Sequence, residues 1–481
     1  MEMNWTVEQR YRRIEEIDSV DIDRMMSASQ LDRGYPKYHI APPFGLLNDP
    51  NGLCHFNGEH HVFFQWTPVG PVHGMKYWYH VSTENFVDFI DHGIAIHPDQ
   101  DFDSHGAYSG GALVENNQAL LFYTGNKRDD NWVRVPTQCL ASMAADGSIA
   151  KQGVIIENSD YTEHFRDPKV WKSNEDYLMV VGAQTQEKKG CMVLYRSKEL
   201  DNWEHLGPIH TSYNDFGYMW ECPDFFELDG QAVMLFSPQG VNSENQYDLK
   251  NIFSVTYIVG DRLNIDTVEL ESHQDILQPD YGFEFYAPQT YLDKQGRRIM
   301  IAWVGLPEID TPSVEHEWAG MLTIPRELRL EDGYLIQKPL AELELLKSDP
   351  TEYSSSFELS STSFCLSFST DQDNFQIELS NDSGESLSFC ANEKQFTLDR
   401  SKMTQLYAED YGTKRYAPRV STTQNIDIYV DASVIEIFIN DGKHTMTSRF
   451  FIDDLNSVKV SSGLIVEHTS MKGIEGLYSA R

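Results

Sequence analysis

This 481-residue chain has no apolar run near the roughly 18 residues that would cross a bilayer as a helix, so a helical membrane anchor is not expected. Residues 1–10 lack the apolar centre of a secretory signal and carry acids early, so export by that route is not expected either. Basic residues are scarce. Thirty-eight Lys and Arg face 74 Asp and Glu, a formal net charge of −36, and such a field repels nucleic acid and anionic membranes. An anionic substrate would need a local basic pocket. The six cysteines (Cys54, Cys139, Cys191, Cys222, Cys365, Cys390) are scattered through apolar segments without metal-ligand spacing, and read as reduced thiols of a cytosolic protein. There is no Gly-rich phosphate cradle and no His-Glu-x-x-His helix, and no cofactor is expected. A metal reading rests on His55, His60 and His61 beside Glu59, but neighbouring positions on a strand face opposite ways.

What the chain does have is carboxylates set beside prolines. In His39-Ile-Ala-Pro-Pro-Phe-Gly-Leu-Leu-Asn48-Asp49-Pro50-Asn51-Gly52 an acid lies between two Asn at the mouth of a strand. Pro50 has no amide hydrogen and biases Asp49 toward extended backbone. Phe165-Arg166-Asp167-Pro168-Lys169-Val170 and Trp220-Glu221-Cys222-Pro223-Asp224-Phe225-Phe226 repeat the theme. Taken singly, Asp49 reads more simply as part of an Asx turn in a hairpin and Asp167 as one half of a surface salt bridge. Three in order are a pattern.

Length favours two domains. Residues 1–35 alternate charged and apolar groups at helical spacing, with Val7, Tyr11 and Ile14 on one face, and predict a helical arm. From 36 to 338, short strand-like segments come in five groups of about four, roughly 55 to 60 residues apart, the pattern of a five-bladed β-propeller. Asp49 and Asp167 are 118 residues apart, two blades; Asp167 and Glu221 are 54 apart, one blade. The spacing predicts equivalent positions facing one central cavity. Residues 339–350 form a linker with a short helix at 340–346, and 351–481 alternate with period two, as in a β-sandwich. Asn440-Asp441-Gly442 is a hairpin signal there. The fold class is all-β.

The three acid motifs, with the strands His61-Val-Phe-Phe-Gln65-Trp66 that follow the first, resemble the signatures of glycoside hydrolase family 32, the β-fructofuranosidases. The likeness runs from about Tyr38 to the C-terminus, where Asp431-x-Ser433-x-x-Glu436-x-Phe438 and Thr447-Ser-Arg449 resemble the family's C-terminal sandwich. Val69-Gly-Pro-Val-His73-Gly-Met-Lys76-Tyr-Trp78 resembles the intracellular branch that hydrolyses sucrose 6-phosphate. The resemblance implies a retaining glycosidase acting on terminal β-fructofuranosides. Asp49 would be the nucleophile, Glu221 the general acid and base, and Asp167 the group that holds sugar hydroxyls and stabilises the transition state. It also implies a pocket of Leu47, Asn48, Gln65, His73, Trp78, Tyr108, Ser109, Arg166 and Tyr286. Tyr79, Val81 and Gly111 depart from the family's usual residues. Lys76, Arg128 and Arg134 are candidates for holding a phosphate against the acidic background.

Retention needs carboxyls about 5 to 5.5 Å apart. Hydrogen bonds from Asn48 and Asn51 would keep Asp49 acidic, and its charge would raise Glu221 so that it stays protonated. The partner expected is a small fructosyl sugar. Rival readings are a fructosyltransferase, a noncatalytic sugar-binding propeller, and an inverting glycosidase with more widely spaced carboxyls.

Overall fold

The computed structural model describes residues 5–478. From Gly45 to Pro339 the chain runs in successive antiparallel meanders, most of them begun by a largely buried strand. The first is Gly45–Phe56, Glu59–Thr67, Tyr77–Thr83 and Phe89–Ile96. Next, Ala107–Tyr108 and Ala112–Glu115 lie along Gln118–Arg128, followed by Arg134–Met143 and Ile149–Glu157. Then come Phe165–Ser173 to Glu204–Pro208, Met219–Leu228 to Thr256–Gly260, and Tyr286–Leu292 to Tyr334–Pro339. Val62, Phe63 and Phe64 are consecutive and fully buried, which fits a sheet covered on both sides rather than an alternating one.

The first strands of the meanders pack in a circuit. Gly45–Phe56 packs on Ala112–Glu115 and Gln118–Arg128, these on Phe165–Ser173, that on Met219–Leu228, that on Tyr286–Leu292, and the last back on Gly45–Phe56. Trp318–Ala319, from the far end of this region, pairs parallel with Gly45–Phe56, so residues almost 275 apart in sequence are fastened together.

Four of these inner strands share one irregularity. After Asn51, Arg166, Glu221 and Tyr286 the ladder slips, and two residues oppose one on the partner strand. The next residue has positive φ in each: Gly52 53°, Asp167 67°, Cys222 46°, Ala287 48°. Only glycine adopts that conformation without a steric cost of about 1–2 kcal/mol, and three of the four strands bear it on another residue. Proline follows in those three, where its missing amide hydrogen is no loss to an interrupted ladder. A bulge of this kind bends the strand and re-aims its side chains. Gly45–Phe56 has a second bulge, between Leu47 and Pro50, and Asp49 lies on it.

Beyond a 3-10 helix at Ala341–Leu346, two six-stranded sheets enclose a core of Phe364, Ile377, Phe389, Ile428, Ile437 and others. Asn440, Asp441 and Gly442 take φ of 52°, 59° and 86° in the turn between Val434–Ile439 and His444–Arg449, as the hairpin signal predicts. The junction between the two regions is polar. Glu436, fully buried, accepts from Arg326 Nη2 at 2.5 Å and from the Ile324 amide at 2.8 Å. His39 lies between Asp431 (Nδ1–Oδ2, 2.9 Å) and Glu436 (Nε2–Oε1, 3.0 Å). The sandwich residues that resemble the family thus fasten the two regions together.

The N-terminal stretch is not one helical arm. Val7–Arg10 and Ser19–Leu31 are helices with a 3-10 turn, Ile14–Glu16, between them, and Val7 is exposed while Tyr11 and Ile14 pack on the main body. The first four residues of the expected arm, and the last three of the chain, lie outside the described residues. No helix among the described residues is long and apolar enough to cross a membrane.

Candidate active site

The bulges stack side chains in layers on neighbouring strands. In the first layer, Arg166 grips Glu221, with Nη2 and Nε at 2.6 and 3.1 Å from Oε1. The other oxygen of Glu221 accepts from the Tyr286 hydroxyl and from Gln239 Nε2, both at 2.7 Å. In the second layer, the Cys222 amide donates to Asp167 Oδ2 at 2.9 Å, and the Asp167 amide donates to Thr124 Oγ1 at 2.9 Å. In the third, Lys169 Nζ reaches Asp224 Oδ2 at 3.2 Å and the Thr290 carbonyl at 2.5 Å, and closes the centre below the acids.

Asp49 enters this arrangement from its own bulge. Its Oδ2 accepts from Ser109 Oγ at 2.5 Å, with Gln65 Nε2 at 3.5 Å and Cys222 Sγ at 3.7 Å. Gln65 Nε2 also donates to Ser109 Oγ, which commits the hydroxyl proton to Asp49. Asn48 donates to Gln65 Oε1 at 3.1 Å and accepts from Lys76 Nζ at 2.6 Å. Cys222 therefore joins two acids: its amide holds Asp167 and its thiol faces Asp49. Burial raises that thiol well above its ordinary range, aided by the charges of Asp167, Asp49 and Glu221, so it remains a protonated donor.

The acids titrate against the expectation from sequence. Burial raises Asp49, and the charge of Glu221 adds to it, more than Ser109, Asn48 and Lys76 lower it. Burial acts upward on Glu221 too, but Arg166 outweighs it by charge and hydrogen bond, helped by Tyr286, and holds the carboxyl below its usual value. Asp167 is pushed up to about 7 by burial, with Glu221 and Asp49 adding to the shift against Arg166. The expected order, an acidic Asp49 and a raised Glu221, is thus reversed. The cause is Arg166, whose sequence neighbour is Asp167 but whose hydrogen bonds go to Glu221. The three acids also do not occupy equivalent positions. Glu221 matches Arg166 and Asn51 in register, Asp167 matches Cys222, and Asp49 stands two residues before Asn51.

Asn48, Gln65, Ser109, Arg166 and Tyr286 meet around the acids. Tyr108, half-buried, adjoins them, and His73 lies 3.1 Å from Lys76 Nζ. Two expected pocket residues are set behind the site. Trp78 is fully buried against Phe63 and Tyr123, and its Nε1 donates to the Tyr108 carbonyl at 3.0 Å. Leu47 is fully buried in the core. Lys76, a candidate phosphate ligand with a solvated loop lysine as the alternative, is buried beside Asn48, and burial lowers it to about 7 against the pull of Asp49. Tyr79 packs into the core against Phe64 and Trp66, with its hydroxyl on Asp91. Gly111 leaves room for Lys169, whose Cδ a Cβ there would approach to 2.9 Å. The histidines of the metal reading turn elsewhere: His60 to the Tyr291 hydroxyl at 2.7 Å and His61 to His80 at 2.9 Å.

Sequence reasoning did not find Cys222, Gln239 or Thr124. For Cys222 a signal exists: its place between an acid and a proline copies that of Asp167 between Arg166 and Pro168.

Comparison with known proteins places this geometry. Residues 39–339 match the N-terminal domain of glycosyl hydrolases family 32, and residues 335–473 match the family's C-terminal domain. A sucrose-6-phosphate hydrolase from Vibrio alginolyticus is 65% identical over 99% of this chain and 98% of its own. The structure of a sucrose-6-phosphate hydrolase from Lactobacillus gasseri superposes with a TM-score of 0.94 at 33% identity, covering 98% of this chain and all of that one. A Bombyx mori β-fructofuranosidase, solved as a mutant in complex with sucrose, gives 0.83 at 29% identity over 94% of this chain and 98% of its own. Both domains are matched in order along nearly the whole chain, and the chain belongs to glycosyl hydrolase family 32.

Proposed function

We propose that this protein is a retaining β-fructofuranosidase that cleaves sucrose 6-phosphate, sucrose or short fructo-oligosaccharides in the cytosol. The similar sucrose-6-phosphate hydrolases support the substrate, and six free thiols without a disulfide support the compartment. The circuit of inner strands supports a five-bladed propeller carrying the site, followed by the sandwich. The observation that carries the reading is the convergence of Asp49, Asp167 and Glu221 through Cys222 and Arg166.

In this mechanism Asp49 Oδ attacks the anomeric carbon of the fructosyl unit while Glu221 gives its proton to the departing glycosidic oxygen. A covalent fructosyl-Asp49 ester forms and the other sugar leaves as an alcohol. Glu221, now ionised, takes a proton from water, whose oxygen attacks the same carbon and releases Asp49. Asp167, anchored by the Cys222 amide, holds sugar hydroxyls and steadies the positive charge that develops at the ring. Asp49 and Asp167 are the raised acids of the group, and the first step requires the proton on Glu221.

The test follows sucrose 6-phosphate and sucrose by NMR as they are cleaved. The expected result is release of fructose as the β-anomer first. Initial release of the α-anomer, or no cleavage of either substrate, overturns the reading.

A further inference from the structure

The residues in front of the first meander pack on the loop that carries Lys76 toward Asn48 and Asp49. The Trp5 ring covers Gly70, where a Cβ would come within 2.5 Å of it. The Met75 amide donates to the Arg10 carbonyl at 2.8 Å, and Gly74 is pressed so closely on Arg10 that a Cβ would stand 2.1 Å from the same oxygen. The Ile14 amide donates to the Tyr77 hydroxyl at 3.1 Å. The loop so covered carries His73 and Lys76, and Lys76 reaches Asn48 next to Asp49. This segment is therefore a wall of the site.

It brings cations to that wall. Tyr11 stands edge-on to Trp132 with ring centres 5.3 Å apart, and its hydroxyl accepts from Arg128 Nη2 at 3.3 Å and is hydrogen-bonded with Tyr108. The Arg134 guanidinium lies 6.0 Å from the Tyr108 ring, close enough for its charge to act on Glu221. Tyr108 directly precedes Ser109, which holds Asp49. Arg128 and Arg134 thus stand beside Tyr11 and Tyr108, while Arg10 directly precedes Tyr11 and lies close enough to His73 for its charge to act there.

These arginines lack what arginines in so acidic a chain ordinarily find. None of the three forms an ion pair among the described residues, although 74 carboxylates are available for 38 basic groups. Among the described residues the Arg128 side chain donates only to the Trp132 carbonyl and the Tyr11 hydroxyl, and the Arg10 and Arg134 side chains make no hydrogen bond. The Nε of each is buried without an acceptor. A buried donor without a partner costs about 1–3 kcal/mol, more when charged, and an anion within reach of these groups would offset that cost. Three guanidinium forks and a phenol suit a tetrahedral dianion with several acceptor oxygens.

We propose that Arg10, Arg128 and Arg134, with the Tyr11 hydroxyl, form the binding site for the phosphate of a phosphorylated leaving sugar, and that the N-terminal segment is thereby a specificity element. This rests on the reading of the protein as a fructofuranosidase. It replaces Lys76, whose amine is committed to Asn48, as the phosphate ligand. The site lies on the side of Glu221 marked by Arg134, where the leaving group departs.

The experiment measures kcat/KM for sucrose 6-phosphate and for sucrose in the full-length enzyme and in Arg10→Gln, Arg134→Gln and Arg10→Lys, with thermal melting of each. The ratio of the two values is expected to fall about 10- to 100-fold in the Gln variants, through KM, and to recover in part in Arg10→Lys. A Gln variant that does not fold is replaced by Tyr11→Phe, for which a smaller fall in the ratio is expected. In a second arm, glucose 6-phosphate should inhibit sucrose cleavage at concentrations at least tenfold below those of glucose or inorganic phosphate. An unchanged ratio in variants of a wild type that prefers the phosphorylated substrate overturns this site and leaves the fructofuranosidase reading standing. Equal inhibition by inorganic phosphate and glucose 6-phosphate overturns the sugar-phosphate assignment in favour of a free-anion site. A wild type that cleaves neither substrate refutes the underlying reading instead.

Discussion

Arg166 and Glu221, 55 residues apart, occupy the same register on neighbouring strands, and the guanidinium donates twice to one carboxylate oxygen, at 2.6 and 3.1 Å. The pairing sets the protonation of the whole acid group, because it favours the ionised form of Glu221 and, more weakly, of Asp167. Asp167 is raised to about 7, with the charges of Glu221 and Asp49 contributing, so a proton of this acid group is lost near that pH.

The alkaline limb of kcat/KM is therefore expected near pH 7, where that proton is lost. In Arg166→Gln the cation that favours ionisation is gone from both carboxyls, so the proton is held to higher pH and the limb moves up. Overall rate should fall as well, since Arg166 holds the proposed general acid, Glu221. A pH profile of initial rates decides it: a limb that stays in place or moves down contradicts the coupling.

Asp49→Asn is expected to abolish turnover with melting unchanged within a degree or two, since its carboxylate forms the covalent bond in the proposed mechanism. Glu221→Gln should lose about 10²- to 10⁴-fold, the usual worth of a general acid. The loss should shrink on fructosides whose leaving group departs without a proton, and azide should restore part of the second step. Rates near wild type in either variant remove the assignment.

The acid motifs were legible because a carboxylate next to a proline is a local feature, and three in order are hard to produce by chance. The all-β class and the helical turn after residue 340 were legible for the same reason. What could not be read is relational. The bulges after Asn51, Arg166, Glu221 and Tyr286 depend on strands 12 to 17 residues further along and on glycine-like backbone at Asp167, Cys222 and Ala287. Spacing alone therefore aligned Glu221 with Asp167 when its true counterpart is Arg166. The same gap misplaced the pKa order, since the partner that decides it comes from another strand. Trp78 and Lys76 sit in a motif that faces the site, but strand alternation and burial turn Trp78 behind Tyr108 and Lys76 onto Asn48. The N-terminal stretch has helical spacing but too few apolar residues to make one packed helix; it breaks where Ile14 meets Tyr77.

Ser109 offers a gentler test of the nucleophile. Its hydroxyl donates to Asp49 at 2.5 Å while accepting from Gln65, so it stabilises the ionised carboxylate. A hydrogen bond to the charged form lowers a carboxyl's pKa, and its loss raises it. Ser109→Ala should move the acid limb of kcat/KM upward and lower the maximum about tenfold, the worth of one hydrogen bond to a charged group. An acid limb that stays in place would show that the hydroxyl only fills space.

His39 gives a prediction about stability. The ring is fully buried between Asp431 and Glu436, and although burial lowers its pKa, hydrogen bonds and charge from both carboxylates raise it to about 9, against 6.5 ordinarily. A group raised in the folded state binds its proton more tightly there than in the unfolded chain. Its contribution is therefore complete below about pH 6.5 and is lost as pH climbs toward 9. Two to three pK units correspond to on the order of 3 kcal/mol. Denaturant melts of the wild type should show stability declining across that window, with the sandwich and the first region unfolding together because His39 joins them. His39→Leu leaves Asp431 and Glu436 to their remaining donors, Ser363 and Arg326 among them, and should cost about 3 kcal/mol at pH 6 but much less at pH 9. The two curves should converge as pH rises. Parallel curves with a constant offset would mean that His39 acts by shape alone and carries no proton between its two acids.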